Sequence, residues 1–162
     1  MPPPPSPDFH AGPALVCRVA SRLDALPALA DALAQWCAGQ RLPDAEALRL
    51  TLIVEELLTN TVQHGYRDRD DGWMALRLER AAAGEGEVVH LVLSDGAPHF
   101  DPTARAPLVG ALPGAALDGL APGGLGIEFV RRLVLRWQHH ALDAGNRLEL
   151  WRRVGAAPIP PN

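Results

Sequence analysis

The chain has 162 residues, a formal net charge of −4 and an apolar content of 48 %. That suits one domain with a single core, and the acidic balance argues against a nucleic-acid partner, whose phosphates need a basic field. All 15 basic residues are arginine; the missing lysine excludes P-loop NTPases, ordinary protein kinases and Schiff-base chemistry.

Residues 1–12 are rich in proline and read as a disordered tail, as do residues 155–162. One domain is expected over 13–154. The start lacks a basic segment followed by an apolar one, and no apolar run is long enough for a bilayer. The reading is cytoplasmic, without a membrane partner. Ala14 to Ala20 predicts a short strand. Leu23 to Cys37 has helical spacing, with Ser21 as its cap. Pro43 and Asp44 open a second helix that runs to about His64 and ends at Gly65. Trp73 to Arg80 alternates apolar and polar residues, and Val88 to Ser94 is its hairpin partner across the Gly84–Glu87 turn. Residues 102–122 show no period and read as a lid. Gly124 leads into a helix from Leu125 to Arg136. Two strands, Arg136 to Leu142 and Asn146 to Arg153, close the chain around Asp143-Ala144-Gly145. This order predicts an α/β (α+β) two-layer sandwich, with a mixed, mainly antiparallel sheet and helices on one face. Cys17 and Cys37 fall in a strand and a helix and read as reduced core thiols, with no disulfide framework or zinc spacing.

Three short blocks carry chemistry. In Glu55-Glu56-Leu57-Leu58-Thr59-Asn60-Thr61-Val62-Gln63-His64-Gly65, residues 56, 60 and 64 share one helix face. Asn60 offers a carbonyl oxygen to a hard cation such as Mg²⁺, and Glu56 can take a proton from an attacking hydroxyl. His64 is either a phosphate contact or a C-terminal histidine favoured by the helix dipole. Asp95 ends an apolar strand in Asp95-Gly96-Ala97-Pro98-His99-Phe100-Asp101-Pro102, where it is either an ordinary turn residue of an Asp-Gly pair or a carboxylate that accepts from an exocyclic amine. Gly123-Gly124-Leu125-Gly126-Ile127 opens a helix whose free amides suit phosphates, or is a flexible hinge, and the two are compatible if the hinge serves a lid.

In this order the blocks resemble the N-box and the first and second glycine boxes of the GHKL (Bergerat-fold) ATPases. Their patterns are, loosely, E-x-x-x-N-x-x-x-H-[GA], D-x-G-x-[PG]-F-D-P and G-G-x-G-[IL]. Within that group the chain most resembles the stand-alone anti-sigma factor serine/threonine kinases, over roughly Ala14 to Arg153. The resemblance implies ATP and Mg²⁺ as cofactors. Glu56 would be the base, and Asn60 the Mg²⁺ ligand. Asn60, His64, Asp95, Ala97, Phe100, Gly123, Gly124, Leu125, Gly126 and Ile127 would form the ATP site, with Asp95 reading the adenine amine. It also implies a STAS-type antagonist as the phosphorylated partner, a sigma factor as the sequestered one, and a homodimer. The alternative is a non-catalytic nucleotide-binding or protein-interaction module of the same fold. The ATPase half of a histidine kinase fits poorly, because no upstream helical hairpin carries a phosphoacceptor histidine. Three residues depart from the family pattern: Ala97 stands where the family has a glycine, His99 where it has Pro or Gly, and Glu149 where relatives often carry a threonine near the base.

Overall fold

The computed structural model describes residues 8–11, 13–67, 69, 71–84, 86–106 and 124–155. The strands β1 (Asp8–Ala11), β2 (Ala14–Ala20), β3 (Trp73–Ala83), β4 (Gly86–Asp95), β5 (Arg136–Leu142) and β6 (Gly145–Arg153) form one sheet in the order β1-β2-β3-β4-β6-β5. Every pairing is antiparallel. The parallel element of the expected mixed sheet is therefore missing among the described residues. β1 corrects the reading of residues 1–12 as a tail, because Asp8 to Ala11 pair with Arg18 to Leu15 as an edge strand.

The sheet explains the alternation in the strands. Register aligns Leu15, Leu78, Leu91 and Leu150 in one row, and Cys17, Leu76, Leu93 and Leu148 in the next. The third row starts apolar with Val19 and Met74 but continues as Asp95 and Asn146. A period of two keeps all three rows on one face, so two polar side chains are delivered to the rim of the core.

That face is covered by α1 (Leu26–Gly39), α2 (Asp44–Asn60) and α3 (Gly124–Leu133). Leu29, Leu33 and Trp36 of α1, Leu50, Ile53, Val54, Leu57 and Leu58 of α2, and Ile127 and Val130 of α3 join the strand residues in one buried cluster. Their three- and four-residue spacing is the apolar stripe of a surface helix. The layers are thus the expected two-layer sandwich. No helix among the described residues is long and apolar enough to cross a membrane.

A short 3₁₀ turn, Leu23–Ala25, precedes α1, and Ser21 does not cap it. Instead the Ser21 hydroxyl donates to the Arg69 carbonyl (2.9 Å) and accepts from the Gly72 amide (3.1 Å), fastening the loop before β3. Cys17 and Cys37 are free and buried; burial pushes both thiols up to about 11.

One end of the core is closed by charge. Glu46, in the first turn of α2, accepts from Arg152 Nε (2.9 Å), Arg152 Nη2 (3.0 Å) and Arg49 (2.6 Å). Arg152 also donates to the Leu133 carbonyl at the end of α3. This buried group ties β6, the start of α2 and the end of α3 together. The opposite ends of those elements are left to form the site.

Candidate functional site

The last turn of α2 presents Glu56 and Asn60 side by side. The Asn60 amide nitrogen donates to Glu56 Oε1 at 2.8 Å. A carboxylate can only accept, so the amide's nitrogen must be the atom facing it, and the Asn60 carbonyl oxygen is turned elsewhere. The first turn of α3 rests on the same carboxylate. A Cβ added to Gly126 would lie 1.6 Å from Glu56 Oε1 and 1.8 Å from its Cδ, so only glycine allows this approach.

Asp95 ends β4 and is 6 % exposed. Its Oδ1 accepts from the Ala97 amide and from Asn146 Nδ2, both at 2.9 Å. Its Oδ2 makes no hydrogen bond among the described residues. Burial raises this carboxyl above its usual range, opposed by the hydrogen bonds from Asn146 and Ala97 and by the charge of His139. Asn146 stands opposite Asp95 in the β4–β6 register. β6 begins this close only because residue 145 is glycine. Gly145 has φ +116, and a Cβ there would meet the Asp95 carbonyl oxygen at 1.9 Å.

Ala97 replaces the family glycine without strain. It is not among the residues at positive φ, so no left-handed turn is demanded of it. Its methyl sits 3.0 Å from where a Cβ on Gly65 would be, and the glycine ending the first block provides that room. The Tyr66 hydroxyl then ties the loop together. It donates to the Trp73 carbonyl (2.7 Å) and accepts from the Trp73 (3.2 Å) and Gly96 (2.7 Å) amides.

Asn60, Asp95, Ala97, Phe100 and Ile127 line one cavity of about 50 Å³. Its apolar walls are Leu57, Leu93 and Leu148, and His139 and Asn146 face it from the sheet. His64 does not share this cavity. The chain leaves α-helical pitch after Asn60 and continues as a π turn, Thr61–Gly65, in which the Tyr66 amide reaches the Thr61 carbonyl (2.8 Å). The changed pitch breaks the four-residue stripe. His64 lines an open neighbouring cleft of about 650 Å³ with Tyr66, Arg67, Arg69, Trp73 and His99. Phe100 borders both spaces. Gly124 and Leu125 lie in the first turn of α3. Gly123 and the part of the expected lid from residue 107 onward lie outside the described residues, and before them the chain makes a short 3₁₀ turn, Pro102–Ala104.

Glu149 is not near the cavity. It pairs with Val92, which places it on the outer face of the sheet, where it bonds His90 Nε2 at 2.9 Å. Asn146 and His139 are the residues that sequence reasoning missed. The only sequence signal for Asn146 was its position just after the Asp143-Ala144-Gly145 turn, and His139, in the middle of β5, had none.

These groups fit a nucleoside triphosphate and a hard cation. Asp95 offers a carboxylate oxygen free of hydrogen bonds among the described residues, the walls are apolar, and Asn60 offers a carbonyl oxygen. The cavity is far below the roughly 300 Å³ or more usual for small-molecule sites, so the site as described is contracted and must widen to admit a base.

Among curated proteins none matches the chain. The family profile of the histidine kinase-like ATPase domain matches residues 19–151. That span runs from the end of β2 into β6 and contains every residue of the cavity. With its antiparallel sheet, its helices on one face and its cavity between the last turn of α2 and the first of α3, the chain belongs to the histidine kinase-like ATPase family of ATP-binding modules.

Proposed function

We propose that the chain is an ATP- and Mg²⁺-dependent serine/threonine protein kinase of the anti-sigma factor type. It phosphorylates a small STAS-type antagonist and sequesters a sigma factor. The observation that supports this most is the Glu56–Asn60 pair, a carboxylate and an amide bonded at 2.8 Å beside the cavity that Asp95 lines. Asp95 Oδ2 accepts from the adenine amine, and the apolar walls hold the base. Asn60 holds Mg²⁺ through its carbonyl oxygen. When bound, the ion neutralises charge on the phosphates. Glu56 accepts the proton of the acceptor serine or threonine hydroxyl as its oxygen bonds the γ-phosphorus and the bond to ADP breaks. For this Glu56 must be uncovered, so the first turn of α3 withdraws from it. Phosphoryl transfer needs mostly alignment and charge neutralisation, which is within reach of this small set.

The test is transfer of labelled phosphate from ATP to a candidate STAS protein. Glu56→Gln should abolish transfer and leave ATP binding intact; normal transfer by that variant would rule out Glu56 as the base. A second reading, a module that binds partners without transferring phosphate, is favoured by the contracted cavity and by Gly126 resting on Glu56. Calorimetry separates the two: no heat with millimolar ATP and Mg²⁺ supports the second.

A further inference from the structure

Asn146 makes the largest set of polar contacts around the cavity. Its Nδ2 donates to Asp95 Oδ1 (2.9 Å) and lies within bonding distance of the carbonyls of Pro98 (3.1 Å) and Ala97 (3.3 Å). Its Oδ1 accepts from the Phe100 amide (2.9 Å) and from His139 Nε2 (2.9 Å). Both ends of the amide face partners of one kind only, carboxylate and carbonyl oxygens on one side and a backbone N–H on the other. The orientation is therefore set by chemistry. The same logic puts a proton on His139 Nε2. His139 Nδ1 then lies 3.9 Å from Asp101 Oδ2, the carboxylate whose other oxygen caps the Pro102–Ala104 turn.

We infer that Asn146 is the positioning residue for base selection, with His139 holding it in place. This rests on the reading of Asp95 as the group that meets the base. A carboxylate free to turn about its Cβ–Cγ bond would spread its lone pairs over many directions and could accept water in place of an amine. Asn146 and the Ala97 amide hold Oδ1, so Oδ2 alone is left to take a donor. The arrangement selects a six-amino purine and rejects a six-oxo purine, whose oxygen would face an acceptor with no proton to share. Through Pro98 and Phe100, Asn146 also fixes the loop that walls the cavity. The side chain that orients the carboxylate therefore also shapes the pocket around it.

The experiment compares the affinities of ATP and inosine triphosphate, each with Mg²⁺, for the full chain and its variants. The unaltered protein should prefer ATP at least tenfold. Asn146→Ala should shrink that preference about tenfold while keeping a cooperative melt. His139→Phe should shrink it severalfold, and His139→Gln, which keeps a donor, should restore it. A purely structural role would lower both affinities together and leave their ratio unchanged. If Asn146→Ala does not fold, His139→Phe decides. A folded variant, of either residue, with an unchanged ratio overturns the inference and leaves the Asp95 reading standing. A wild-type protein that binds both nucleotides equally, or neither, overturns the Asp95 reading first and this inference with it.

Discussion

Replacing Asp95 with asparagine should move binding and stability in opposite directions. Asn keeps an oxygen at the Oδ1 position, so the bonds from Ala97 and Asn146, both 2.9 Å, survive. The other oxygen becomes an NH₂ that meets the adenine amine donor to donor. A hydrogen bond to a charged group contributes about 1.5–3 kcal/mol, so ATP affinity should fall roughly 10- to 150-fold. Stability should rise at neutral pH. Burial raises the Asp95 carboxyl above its unfolded value of 3.8, so the folded chain binds that proton more tightly than the unfolded one. Between the two values stability falls as pH rises, and above both the buried charge is a constant penalty that Asn lacks. Asp95→Asn should therefore melt at a higher temperature than wild type at pH 7. The gap should narrow as pH falls through the raised value towards the unfolded one. Calorimetric titration with ATP and Mg²⁺ and thermal melts across pH measure the two effects. A variant that binds ATP as tightly as wild type, or that melts lower at pH 7, refutes the assignment of Asp95 as a buried, base-facing carboxylate.

Gly126→Ala places a methyl inside the Glu56 carboxylate; overpacking of this kind costs about 1–3 kcal/mol. Urea denaturation should show that loss, because α3 or Glu56 must shift. Unaltered stability would mean that the flexible Glu56 side chain swings aside at little cost, and would refute the overpacking argument. Glu46→Ala leaves the Arg152 guanidinium buried without its carboxylate and should cost about 3–5 kcal/mol in urea unfolding. The double variant Glu46→Leu/Arg152→Met should recover most of that loss. A single-variant loss under about 1 kcal/mol would remove the ion pair from the account of how α2, α3 and β6 are held.

Much of the fold was legible because it follows from local rules. The strands Ala14–Ala20 and Arg136–Leu142 have the bounds expected from their pattern. The alternation at Trp73 to Arg80 marked a sheet with one buried face. Glu56 and Asn60 are four residues apart on a regular helix, so their meeting was readable too. His64 was not, because the π turn after Asn60 depends on how Gly65 and Tyr66 pack against Ala97 and Gly96. Composition also misled at the first strand: a proline-rich start hid Asp8–Ala11, whose pairing is provided by β2.

By itself the sequence determined where the helices and strands from Ala14 onward lie, which face of each is apolar, and that an acid and an amide share one helical turn. These depend on residues within a few positions of each other, where backbone geometry is fixed by the period. Only the tertiary structure decided that Asn146 meets Asp95, that Glu149 faces away from it, and that Gly126 lies on Glu56. The two contacts join residues 51 and 70 positions apart, and all three outcomes depend on strand register and helix docking. A shift of one residue in register would send Asn146 to the opposite face, and no local pattern records that choice.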